Sequence, residues 1–242
     1  MNRTRSVIFA IGFLASGWLA AAQPDPAPFD AVLSARARNG GFDYKGTDGQ
    51  DKKRLAAYLT NIGDAQLSGM DSEERKAFYI NAYNVLAIQT LLDNPGKKII
   101  DIPGAFKTTK HKVAGEMLTL DEIENKLREF KDARIHFAIV CASKSCPPLA
   151  PQAYRGQGLS EALDRQGREF VSDPRKNIID RNRGRVALSM IFNWNRKEFE
   201  RDGGTLPKFV SKYVSDAQTA SWLAYGPREP EFLEYDWSPN QP

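Results

Sequence analysis

Residues 71–93 read DSEERKAFYINAYNVLAIQTLLD, and this stretch decides the fold class. Asp71, with Glu74 three residues later, forms a capping-box pattern that predicts a helix beginning at Ser72. The Asn-Pro-Gly of residues 94–96 ends that helix. Apolar residues occupy nearly every face of it, and a helix that is apolar all round is buried on all sides. We therefore expect this helix at the centre of the domain.

Two asparagines interrupt the apolar helix. Asn81 and Asn84 are three residues apart and therefore lie on one face. A buried amide costs about 1–3 kcal/mol unless it is hydrogen-bonded, so both side chains need partners in another element. Their role is either to clamp a loop or to form the polar floor of a site, and both are candidate binding residues.

Outward from this helix, the sequence alternates short helices with short strands. Periodicity and caps predict helices over 27–37, 51–62, 119–130, 159–172 (with Ser160 as its cap), 190–200, 206–214 and 217–224. The predicted strands are 97–102, 134–140, the hairpins 110–113/116–118 and 177–180/185–188, and a last extended segment 231–237. This order predicts an α+β fold in a single domain, mostly helical with a small mixed or antiparallel sheet.

The first 22 residues predict a cleavable signal peptide. Arg3 and Arg5 precede an apolar segment over 7–19, and small residues precede a cut near Ala22. The apolar run is shorter than the about 20 residues that a membrane span needs, and the mature chain contains no other candidate. We therefore expect a periplasmic or secreted protein, with a leader and first helix over 23–50 and a single globular domain over 51–242.

Charge and motifs exclude several function classes. The chain has 34 basic and 30 acidic residues, and removal of Arg3 and Arg5 leaves 32 basic residues in the mature chain. This near balance gives no reason to expect a nucleic-acid partner. The sequence has no phosphate-binding loop and no His-Glu-x-x-His motif, and two cysteines with two histidines fit no usual zinc pattern. We therefore expect no metal and no cofactor.

Residues 134–148 read RIHFAIVCASKSCPP and hold both cysteines of the chain, Cys141 and Cys146, together with His136. The Cys-x4-Cys spacing is not the thioredoxin-type motif. In an oxidising compartment the two thiols would form a disulfide if the loop turns enough. The alternatives are a reactive thiol and two inert thiols, and the sequence leaves all three open.

A cysteine nucleophile needs a base within hydrogen-bond reach, most often histidine. On a continuous strand, His136 and Cys141 would point to opposite faces and lie about 16 Å apart. This argues against a direct pair and makes His111, in the preceding hairpin, the alternative base. Lys144 would lower the pKa of a nearby thiol. The candidate catalytic residues are Cys141, Cys146, His136 and His111, and the candidate binding residues are Asn81, Asn84, Ser143 and Lys144.

Five segments resemble, in order, the conserved blocks of one protein family. They are FYINAYN (78–84), LTLDEIEN (118–125), RIHFAIVCASKSCPPL (134–149), IFNW (191–194) and YDWSPN (235–240). On these blocks the chain is identified as a member of the bacterial branch of the DUF547 (domain of unknown function) family, over about residues 71–240. The resemblance implies frequent export in bacteria and no agreed reaction. This chain has Ala142 where the family pattern has glycine, which restricts the close approach of backbone or substrate there.

Two functions follow from these observations. The first is a thiol-dependent hydrolase or acyl transferase in the cell envelope, which acts through Cys141 or Cys146. The second is a non-catalytic envelope module, binding or structural, that is closed by a Cys141–Cys146 disulfide. The sequence does not say whether the ligand is a small molecule, a peptide or another envelope component, and a redox role is a minor third possibility.

Overall fold

A computed structural model describes residues 24–226 and 229–242. The predicted signal peptide lies outside these ranges, so both the cleavage near Ala22 and the export stay predictions. No helix within the described ranges is long and apolar enough to cross a bilayer.

The central helix is confirmed. Helix α3 runs from Ser72 to Asp93, and Asp71 and Glu74 make both bonds of the capping box. Its side chains are buried almost without interruption over residues 76–88. It packs against α2 (Gly49–Asp64) on one side and α4 (Leu120–Arg128) on another. The capped, all-apolar sequence therefore occupies the core, as its pattern indicates.

The remaining helices follow the predicted positions closely. They are α1 (Ala27–Arg36), α5 (Leu159–Ser172), α6 (Met190–Trp194), α7 (Arg196–Gly203), α8 (Leu206–Ser211) and α9 (Ala217–Tyr225). The predicted helix 190–200 is wrong as a single element, because the chain breaks at Asn195 between α6 and α7. Ser160 does not cap α5, whose N-cap is Gly158 at φ 76°.

Over residues 24–226 and 229–242, the strands are short and form three separate small sheets. Two are antiparallel hairpins: β1 (Ala37–Arg38) with β2 (Gly41–Phe42), and β3 (His111–Val113) with β4 (Glu116–Leu118). In the third, β6 (Arg185–Leu188) pairs antiparallel with β5 (Ile178–Asp180) and parallel with β7 (Glu231–Phe232). The predicted α+β class, mostly helical with small antiparallel and mixed sheets, is confirmed.

Two predicted strands are wrong. Residues 97–102 contain a 3-10 helix, Ile99–Asp101, and residues 134–140 begin within a second one, Ala133–Phe137. Within the part of the chain that the structure describes, no strand pairs with the second segment. Asp132 accepts a hydrogen bond from the Arg134 N–H, and the amides after it bond back within the segment or to a side chain of α3. A short apolar run fits a buried strand or a buried helical turn equally well, and here the local cap decides for the turn.

The segment 133–140 connects the two apolar clusters of the core. Ile135 belongs to the cluster around α3, whereas Phe137 belongs to a second cluster with Phe170, Phe192 and Phe199. The ring centroids of these three lie 5.7–6.0 Å from that of Phe137. His136 lies between these two anchored residues, so the backbone that carries it is fixed on both sides.

Candidate functional site

A cavity of about 270 Å³ collects most of the chemistry-bearing residues. Much of its polar lining comes from α4, from the 3-10 segment Ala133–Phe137 and from the C-terminal segment that carries Tyr235. Its lining includes five aromatic side chains: Tyr83, Phe106, Trp194, Tyr235 and Trp237. An apolar cavity with a few convergent polar groups is the usual form of a small-molecule site.

Cys141 and Cys146 form a disulfide at one wall of this cavity, with their Cα atoms 6.2 Å apart. Cys146 is 2% exposed and Cys141 is half-buried. Of the three possibilities that the sequence left open, the structure has the disulfide.

Two hydroxyl groups lie against the disulfide. The Tyr235 Oη lies 3.2 Å from each sulfur, and the fully buried Ser143 donates a hydrogen bond to it at 2.9 Å. Burial raises the pKa of the Tyr235 hydroxyl, and the bond from Ser143 offsets part of the rise. Tyr235 therefore remains a neutral donor beside the sulfurs at neutral pH.

His136 is 2% exposed and lines the same cavity. Its Nε2 lies 3.1 Å from the Glu198 Oε2, and its Nδ1 lies 3.8 Å from the Glu124 Oε1. A carboxylate only accepts, so in the neutral imidazole Nε2 carries the proton and Nδ1 keeps its lone pair. Among the described residues, Nδ1 makes no hydrogen bond, so it is the ring nitrogen that is able to accept a proton.

Arg128 holds both glutamates in place. Its Nε donates to the Glu198 Oε1 at 2.9 Å and its Nη2 donates to the Glu124 Oε1 at 2.5 Å. Burial alone would raise the pKa of Glu198, but hydrogen bonds from His136 and Arg128 outweigh it and lower that pKa. Glu198 therefore stays ionised beside the imidazole.

The argument against a direct His136–Cys141 pair loses its premise, because residues 133–137 form a 3-10 helix and not a strand. That argument assumed a continuous strand, in which residues rise about 3.3 Å each and alternate between faces. The 3-10 helix rises only about 2.0 Å per residue and follows a threefold turn. His136 and both cysteines line one cavity. His111, in contrast, lines a different cavity together with Leu59 and Asp64.

The candidate binding residues have separate positions. Asn84 donates to the Ala138 carbonyl and accepts from the Val140 N–H, at 2.9 and 2.8 Å. Asn81 does the same with both backbone groups of Tyr154, at 2.8 Å each. The predicted partners in other elements are thus confirmed, and neither amide is among the residues that line the 270 Å³ cavity. Lys144 lines another cavity.

Sequence reasoning did not select Glu198, Arg128 or Tyr235 as site residues. Glu198 lies 62 positions after His136, and Tyr235 lies 94 positions after Cys141. The one available signal for Tyr235 was its place in the Tyr-Asp-Trp block. Ala142, where the family pattern has glycine, takes a left-handed conformation with φ 63°, the conformation that favours glycine. Within the described ranges, no cluster of three or more His, Cys, Asp or Glu is arranged to hold a metal ion.

Comparison with known proteins identifies one domain. Residues 67–171 match the family model described as Protein of unknown function, DUF547. No curated protein and no solved structure shows significant similarity to the chain. The matched range contains α3, α4, the 3-10 segment with His136, and both cysteines, whereas Glu198 and Tyr235 lie beyond it. The chain therefore carries a DUF547 domain at residues 67–171.

Proposed function

We propose that this chain, with its DUF547 domain, is an exported thiol-dependent hydrolase or acyl transferase of the cell envelope, with Cys141 as its nucleophile. One observation carries the proposal: Cys141 and a histidine oriented by a carboxylate line the same cavity. Cys141 is the more exposed of the two cysteines, which favours it over Cys146. Export and membership of the bacterial branch of the family are part of this proposal and rest on the sequence.

The active form in this proposal is the reduced one. A dithiol reductant of the thioredoxin class exchanges with the Cys141–Cys146 disulfide, so that both cysteines become thiols and the reductant becomes a disulfide. The oxidised form is then a resting state in which the nucleophile is blocked.

His136 and Glu198 activate the thiol in the reduced form. His136 Nδ1 takes the proton of Cys141, and Glu198 stabilises the resulting imidazolium. The Tyr235 hydroxyl, which accepts from Ser143 and lies 3.2 Å from the Cys141 sulfur, donates to the thiolate and lowers the thiol pKa.

Acyl transfer then follows in two steps. The thiolate attacks the acyl carbon, and the collapsing intermediate expels an alcohol or amine that takes the proton from His136. The thioester on Cys141 reacts with water or an acceptor, which His136 deprotonates, and the released sulfur takes that proton back.

The cavity walls indicate an apolar or flat acyl group. The rings of Trp194, Tyr235 and Trp237 lie with centroids 4.6–5.8 Å apart, and Trp194 is 49% exposed. Stacked aromatic walls bind apolar chains and rings by area and shape.

A phosphine-reduced sample treated with p-nitrophenyl acetate tests the proposal. We expect acetylation of Cys141, detected by peptide mass, in the reduced wild-type protein. The Cys146→Ser variant leaves Cys141 free, so it should be acetylated without reductant. Cys141→Ser is the matched control and should not be acetylated at residue 146. Equal labelling of both cysteines, or of neither, contradicts the proposal.

The second candidate is the non-catalytic module, and the closed disulfide with its buried Cys146 favours it. In that case the bond acts as a staple, and its reduction costs about 2 kcal/mol of stability because the closed loop is short. Under this alternative, Cys141→Ser and Cys146→Ser lose the same stability and neither protein is acetylated.

A further inference from the structure

The loop between the two cysteines, residues 141–146, also lines a second cavity. This cavity has a volume of about 370 Å³ and is separate from the aromatic one. The loop contributes Lys144 and Ser145, and Arg175, Lys176, Asp236 and Asn240 line other walls.

Hydrogen-bond donors exceed acceptors in this second cavity. The Lys176 Nζ donates to the Cys146 carbonyl, and the described residues offer it no other hydrogen bond or ion pair. An ammonium group has three donors, so two remain available. The Asn240 Oδ1 accepts from the Tyr44 hydroxyl at 2.8 Å, and that bond does not use the amide N–H groups of Asn240. Ser145 accepts from the Asp236 N–H at 2.9 Å, so its own hydroxyl proton is also available.

The charges in this cavity favour an anion. Arg175 is neutralised by Asp173 at 2.8 Å, so among the charged side chains that line the cavity Lys144 and Lys176 face the carboxylate of Asp236. Neither lysine forms an ion pair within 4.0 Å inside the described ranges. Burial lowers the pKa of Lys176 even though Asp173 partly opposes the shift, so an anion nearby would stabilise its charged form. Hydrogen bonds from the Ser238 side chain and from its N–H lower the pKa of Asp236 and keep it ionised.

We propose that this second cavity binds one oxyanion group of a small molecule, a phosphate or a carboxylate, between Lys144 and Lys176. Charge-assisted hydrogen bonds from two ammonium groups, an amide and a hydroxyl supply the recognition. The site requires no free thiol and is therefore independent of the proposed acyl transfer.

Titration of the oxidised protein, expressed from the full chain, with inorganic phosphate tests the site. Acetate is titrated in parallel at the same ionic strength. We expect saturable shifts of the Lys144 and Ser145 backbone amide signals in NMR spectra, together with a rise in the measured pKa of Lys176. Saturation by phosphate identifies a phosphorylated ligand, and saturation by acetate identifies a carboxylated one.

Lys144→Gln is the decisive variant because its side chain is exposed and its loss should not disturb folding. It should weaken binding by roughly threefold or more. Lys53→Gln removes an exposed lysine from α2 and should leave binding unchanged. The site is refuted if neither anion saturates by about 50 mM, a limit well above millimolar affinity. Equal binding by the two variants also refutes it.

Discussion

His136 has a carboxylate beside each of its ring nitrogens, and Arg128 fixes both carboxylates. This arrangement determines which nitrogen carries the proton and where the ring lies. It also makes Glu198 the residue through which the environment of the imidazole can be changed without removing the ring. The chemistry of the pocket thus depends on a residue outside the matched DUF547 range.

Replacement of Glu198 by Gln should flatten the acid limb of the stability curve. The folded-state pKa of Glu198 lies below its ordinary value of 4.5. The unfolded chain therefore binds the proton first, and stability falls as the pH drops from about 4.5 through the folded pKa. Urea unfolding between about pH 3 and 6 should show a shallower loss in Glu198→Gln. An unchanged slope would contradict the assigned role of the carboxylate.

Asn84→Ala should destabilise the protein by about 2–4 kcal/mol. The change leaves the Ala138 carbonyl and the Val140 N–H buried without partners, and each lost bond costs about 1–3 kcal/mol. Chemical denaturation measures the effect. Asn193→Ala, at an exposed position of α6, is the matched control and should change stability by less than about 0.5 kcal/mol. A similar cost at both positions would contradict the clamp.

Ala142→Gly should stabilise the protein by up to about 1 kcal/mol. A left-handed φ costs an L-residue about 1–2 kcal/mol, and glycine does not carry that cost. Glycine in turn lowers the stability by about 0.5–1 kcal/mol, because its unfolded chain has more conformational freedom to lose on folding. Ala162→Gly, inside α5, is the control of opposite sign and should cost about 1 kcal/mol. Thermal unfolding of the two variants distinguishes the cases, and a loss of stability at both positions would contradict the strain.

At the scale of elements, α4 connects the hairpin to the site. Its N-cap Thr119 accepts from the Glu122 N–H at 3.2 Å, and Glu122 accepts from the Thr119 N–H at 2.7 Å. The same helix carries Glu124 and Arg128 into the cavity. The cap therefore positions two site residues through the helix that it begins.

Thr119→Ala should cost about 1 kcal/mol of stability because one helix N–H loses its acceptor. Thr119→Ser keeps the hydroxyl and serves as the control. Urea denaturation of both variants gives the comparison. An equal loss in the two would show that the buried methyl of Thr119, and not the cap, supplies the stability.

Elements whose ends are encoded locally could be predicted, and those that depend on distant partners could not. Asp71 and Thr119 mark the starts of α3 and α4 in the sequence itself, and both helices were predicted closely. The apolar run over 134–140 has no such period: Asp132 caps its first turn locally, but the Val140 N–H is satisfied by a side chain 56 residues earlier. The site shows the same division, since its cysteines and His136 are local whereas Glu198 and Tyr235 are brought in by tertiary packing.

At the scale of the whole molecule, the C-terminal segment closes the site. The Lys144 N–H donates to the Ser238 carbonyl, and the Asn240 N–H donates to the Ala142 carbonyl, at 2.8 and 3.0 Å. This pairing places Tyr235 in the aromatic cavity, against the two sulfurs, and the next residue, Asp236, in the cavity that Lys144 and Lys176 line. The cystine loop is thus the common wall of two chemically different cavities, one aromatic and one cationic.

The pH dependence of Cys141 alkylation tests the central claim most directly. In the Cys146→Ser variant, Cys141 is the one thiol of the chain, and its rate of reaction with iodoacetamide reports its pKa. We predict a pKa below that of a free cysteine, and a return toward the free value when His136 is also changed to Gln. A pKa at or above the free value, unaffected by the His136 change, would contradict the claim that this pocket activates Cys141.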